Sequence, residues 1–101
     1  METDKRFLLN ENFKEPGHKL VAEIVSIKTR CGWGHKVGDS FPVGIHTNGG
    51  MCGTLYHACF PHIMQIQFGG EMPPTMAPPG VRTVRCADLK NSVQVRIRRV
   101  D

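Results

Sequence analysis

The sequence predicts an α+β domain in the order ββαββ, a mostly antiparallel sheet of about four strands with one helical segment packed on it. Three observations carry this. Aliphatic and β-branched runs of strand length lie towards both ends of the chain, one central stretch repeats its apolar residues at helical spacing, and glycine and proline clusters separate the two kinds of segment. At 101 residues the chain is long enough for one core and too short for two. Residues 1–18 are polar, contain Pro16-Gly17 and read as an arm; residues 19–101 read as the domain.

Within the domain, residues 19–28 supply Leu20, Val21, Ile24, Val25 and Ile27, a run with apolar residues on both faces and so a largely covered strand. Residues 29–39 hold Gly32, Gly34 and Gly38 among mostly polar neighbours, a loop that leads into a short strand over 40–43. After Gly49-Gly50, the residues Cys52, Leu55, Tyr56, Cys59, Ile63 and Ile66 follow the i, i+3, i+4, i+7 rule of one helical face. Pro61 sits inside this stretch and predicts a kink or a division into two short helices, because proline removes an internal hydrogen bond. Gly69-Gly70 is the stop, and the prolines of 71–80 fit an extended crossing loop. Two strands close the chain, over 81–86 and 93–100. In the second, Val93, Val95 and Ile97 alternate with Gln94, Arg96 and Arg98. Placing Cys86 opposite Val93 sets Val84 against Val95, with Cys86 on the face that meets the helix.

Composition narrows the function classes. Thirteen Lys and Arg against nine Asp and Glu give a formal charge of +4, a mild attraction for anions. No apolar run approaches the roughly 20 residues of a membrane-spanning helix. The first residues place acids before bases and lack the apolar core of a signal peptide, so a cytoplasmic protein is expected. In a reducing compartment, Cys31, Cys52, Cys59 and Cys86 are expected as thiols or metal ligands instead of disulfides. Arg82, Arg85, Arg96, Arg98 and Arg99 form the only basic cluster. The predicted register puts Arg85, Arg96 and Arg98 on the solvent face with no aromatic residues between them to stack on bases. A solvated sheet face is the better reading, and a nucleic-acid-binding module that uses this Arg cluster is the weaker alternative.

Reactive side chains concentrate between residues 31 and 62. Two Cys/His pairs, Cys31 with His35 and Cys52 with His57, are separated by 16 residues. Zinc and other divalent transition metals accept thiolate and imidazole together, so Cys31, His35, Cys52 and Cys86 are the candidate ligands. On a regular helix residues five apart diverge by about 140°, so Cys52 and His57 can share an ion only if Cys52 lies at or before the first turn. A thiol placed there faces unpaired backbone N–H groups that favour the thiolate, which also makes Cys52 the candidate nucleophile, with His57 as acid/base. The same amides beside Gly49-Gly50 are suited to hold a carboxylate or phosphate of a small ligand. Cys59 continues the apolar stripe and reads as core. His46 and His62 read as surface residues, and His18 belongs to the arm.

Taken together, Cys31, His35, Lys36, Val37, Gly38 and Asp39, then Gly49-Gly50, Cys52, His57 and Pro61, then Phe68-Gly69-Gly70 with Pro73, then Cys86 ahead of a terminal Val/Ile strand, form a pattern over residues 20–100. It resembles that of a family of small uncharacterised prokaryotic proteins. The resemblance singles out Cys31, His35, Lys36, Gly38, Asp39, Cys52, His57, Gly69, Gly70 and Cys86, and implies no activity. Met72-Pro73-Pro74 stands where that family has a Pro-Trp pair, so the edge of a pocket there differs.

Two functions follow as expectations. One is a zinc-type metal-binding domain, monomeric or homo-oligomeric, in which the ion staples a short chain; the other is a small enzyme with Cys52 as nucleophile.

Overall fold

Alternation along the strands decides which face of the sheet is covered. In the computed structural model, which describes residues 15–73, 75–87 and 90–101, β1 (Leu20–Ser26) turns Leu20, Ala22 and Ile24 inward, each at most 3% exposed. Val21 and Val25, on the opposite face, are half-buried, so the strand is largely covered as its apolar residues predict. Among the described residues no element lies over the outer side of the sheet. β2 (Ser40–Val43), β3 (Val81–Arg85) and β4 (Gln94–Arg99) complete a four-stranded sheet in the order β2-β1-β4-β3, with every neighbouring pair antiparallel. Val84 pairs with Val95 as predicted, and the Cys86 N–H donates to the Val93 carbonyl at 2.8 Å.

One helix, α1 (Gly53–Gln67), closes the inner face. Leu55, Cys59, Ile63 and Ile66, each at most 1% exposed, enter a core with Ala22, Ile24, Val95 and Ile97. Full burial of each large aliphatic side chain contributes roughly 1.5–3 kcal/mol. The helix is a single 15-residue element, so Pro61 does not divide it. The carbonyl that loses its helical donor to Pro61 belongs to His57, and both residues are exposed, so no buried acceptor is stranded.

The helix ends as its glycines predict. Gly69 adopts φ +89°, its N–H reaches the Ile66 carbonyl at 3.3 Å, and the Gly70 N–H reaches that of Gln65 at 2.8 Å, a Schellman arrangement. Arg99 caps the same end, its Nε donating to the Ile66 carbonyl at 3.1 Å while Nη1 pairs with Glu71 at 2.6 Å. Arg82 is also turned inward and is 4% exposed, with Nη2 donating to Gln65 Oε1 at 3.2 Å. The basic cluster read from the sequence is therefore divided: Arg82 and Arg99 serve the helix end, and Arg85, Arg96 and Arg98 are exposed on the outer face.

Of the predicted arm, residues 1–14 lie outside the described residues. Residues 15–18 run against the end of the helix, where Gln67 donates to the Pro16 carbonyl at 2.6 Å and accepts the Ile45 N–H at 3.0 Å. Among the described residues no helix is long and apolar enough to cross a membrane.

Candidate functional site

The glycine-rich loop is folded back on β1 by its own polar groups. Asp39 Oδ2 accepts the Lys36 N–H at 2.9 Å, the Gly38 N–H donates to the Ile24 carbonyl at 2.9 Å, and the Gly34 N–H closes a turn on the Cys31 carbonyl at 3.0 Å. Gly38 makes this possible with φ +97°, a conformation that side-chain-bearing residues rarely adopt. His35 is only 8% exposed and lies against the Phe41 ring, with centroids 4.8 Å apart. Its Nε2 accepts the Cys52 backbone N–H at 3.0 Å. An accepting ring nitrogen carries no proton, so this imidazole is neutral with its hydrogen on Nδ1.

That bond fixes the start of the helix. Cys52 is the N-cap residue, its carbonyl accepts the Tyr56 N–H at 2.9 Å, and its side chain makes no capping hydrogen bond. The amides just before the helix are already used: Gly50 N–H donates to Asn48 Oδ1, Met51 N–H to the Asn48 carbonyl and Cys52 N–H to His35. Gly49, at φ +64°, leaves no room for a Cβ beside the Pro42 carbonyl. Gly49-Gly50 thus shapes a tight turn, and the amides without an intrahelical partner are those that follow, at Gly53, Thr54 and Leu55.

These elements bring three of the predicted residues together. Cys31 from the loop, Cys52 from the helix start and Cys86 from the end of β3 line one pocket of about 190 Å³, with Trp33 and Thr54 at its edge. Trp33 is 68% exposed and was not singled out from the sequence, although it stands between two glycines on the Cys31 loop. Among the described residues, no three His, Cys, Asp or Glu side chains are gathered as closely as a bound ion requires.

The other candidates lie elsewhere. His35 stands behind the pocket, bonded to the Cys52 backbone, and lines a separate depression. His57 is exposed and lines a third one with Gly53, Tyr56, Phe60 and Pro61. Five helical positions separate it from Cys52, and the structure does not bring the two side chains to one cavity. Cys59 is buried in the core; desolvation, and then the neighbouring Cys86, push its thiol up to about 12.

Compared with family models, curated proteins and solved structures, the chain matches none of them.

Proposed function

We propose that this chain is a small metal-binding domain that takes zinc or another thiophilic divalent ion between Cys31, Cys52 and Cys86. The observation that supports this reading is the shared pocket: three cysteines from segments far apart in sequence line one small cavity. Metal–sulfur bonds of about 2.3 Å require the thiols to close in on the ion. Cys31 is the ligand placed to move, since glycine follows it at Gly32 and Gly34. Cys52 brings a sulfur that no capping hydrogen bond engages. His35, one of the ligands expected from the sequence, serves through Nε2 as an acceptor that holds the Cys52 backbone in place, which leaves a fourth coordination position for water or a ligand.

The enzymatic alternative has less support. A nucleophilic Cys52 needs an acid/base within hydrogen-bond reach; His57 lines a different depression, and His35 Nε2 is engaged with a backbone amide.

The test is a cobalt(II) titration of chelator-treated protein. One equivalent is expected to bind with thiolate-to-cobalt charge-transfer absorption, lost in C31S, C52S and C86S and retained in C59S and H57A. Absence of that absorption, or its persistence in all three thiol variants, overturns the proposal.

A further inference from the structure

Cys31 borders a second depression of about 430 Å³ whose lining has a different character. Arg30 and Lys36 line it together with Thr29 and His35, and no acidic residue does. Among the described residues neither cation forms an ion pair. Asp39, the nearest acid along the loop, spends one carboxylate oxygen on the Lys36 backbone amide.

His35 adds a donor of fixed polarity. Because Nε2 accepts the Cys52 N–H, the ring hydrogen is on Nδ1, and Nδ1 has no partner among the described residues. The residue is 8% exposed, yet Nδ1 is not among the fully enclosed orphan atoms, of which Arg82 Nε is the sole example among the described residues. Nδ1 is thus not enclosed as Arg82 Nε is, and His35 is one of the residues that line this depression. A packed N–H donor beside two unpaired cations is the recognition chemistry of an oxyanion, since charge-assisted hydrogen bonds from preplaced donors are the stronger ones.

We propose that this depression binds the carboxylate or phosphate group of a small ligand, with Arg30 and Lys36 supplying charge and His35 Nδ1–H a fixed hydrogen bond. The site goes beyond the metal reading and does not depend on it, because none of these three groups belongs to the thiol pocket.

The test uses the full chain after chelator treatment, so that failure of metal binding and failure of anion binding are separate results. Inorganic phosphate and, in a second arm, succinate are titrated at constant ionic strength, with the fluorescence of Trp33, the single tryptophan, and the His35 ring proton resonance as readouts. Saturable binding of at least one anion is expected, and which one binds identifies the ligand class. A double R30A/K36A variant is expected to bind at least about tenfold more weakly, the scale of losing a charge-assisted bond. A double R96A/R98A variant, which removes the same charge from the outer sheet face, is expected to bind as the parent does. No saturable binding of either anion, or equal weakening in both double variants, overturns the proposal; the second result would reduce the effect to net charge.

Discussion

Glu15 and Gln67 carry much of the polar structure at the lower end of the helix. Gln67 is fully buried, and each of its amide atoms is used: Oε1 accepts the Ile45 N–H, while Nε2 donates to Glu15 Oε1 and to the Pro16 carbonyl. Glu15 in turn accepts from the Thr47 hydroxyl at 2.7 Å and from the His46 backbone at 3.0 Å. Burial works against ionisation of Glu15, but the hydrogen bonds from Thr47, Gln67 and His46 together outweigh it and hold the carboxyl below the ordinary carboxylate value. A carboxylate with a depressed folded-state pKa stabilises the fold above its unfolded value, and that stabilisation is lost as pH falls through the folded value. E15Q is therefore expected to be less stable than the parent at neutral pH, by about 1–2 kcal/mol for the charged acceptor removed. The difference should close in acid, below the ordinary carboxylate range. Urea unfolding of both proteins across pH checks this; a difference independent of pH would show that the carboxylate charge contributes nothing. None of this network was legible beforehand, because it joins residues more than 20 apart and depends on where the helix end meets the turn after β2.

At the scale of elements, the helix shows which local signals outweigh which. Its start after Gly49-Gly50 and its end at Gly69-Gly70 were legible because glycine supplies the positive φ that both places use. Pro61 predicts a kink or a division, and the helix is not divided. A proline inside a helix costs about 3 kcal/mol. Leu55, Ile63 and Ile66 return roughly 1.5–3 kcal/mol each when fully buried, so the continuous helix is favoured. Arg82 belongs to the basic cluster of the sequence, which assigns it no face. It has the same parity as Val84 and Cys86, which face inward. Gln65 and the Val81 carbonyl supply the partners that let it turn in. Replacing Gly69 by alanine isolates the cap, since a Cβ there would meet no atom within 4 Å and only the φ of +89° opposes it. G69A is expected to lose about 1–2 kcal/mol, the cost of a left-handed conformation in a residue with a side chain. Thermal unfolding measures it, and an unchanged midpoint would mean that the helix end rearranges freely.

For the whole molecule, the sheet order places the ends of separate segments side by side. β1 and β4 form the centre, so the loop after β1 and the start of β4 lie together, with Lys28 donating to the Asn91 carbonyl at 2.8 Å. The hairpin register then carries Cys86 to the same end, and the helix start arrives there through its bond to His35. The sequence made the convergence of Cys31, Cys52 and Cys86 legible because the register and the helix start could both be read. It did not reveal that His35 binds a backbone amide, since a histidine ligand and a histidine acceptor look alike without coordinates. An ion held by the three thiols would tie the loop, the helix and the last hairpin to one point, and would bind the folded chain in preference to the unfolded one. At a free zinc concentration of about 100 times Kd, such linkage adds about 2.7 kcal/mol. For a domain of this size that corresponds to an increase of roughly 10–20 °C in Tm. The shift is expected in the parent and in C59S, whose substituted thiol is outside the pocket, and is expected to vanish in C31S and C86S. Differential scanning calorimetry with zinc and with chelator reads all four proteins. If C31S shifts as far as the parent, the metal is held elsewhere, and the three thiols share a pocket without sharing an ion.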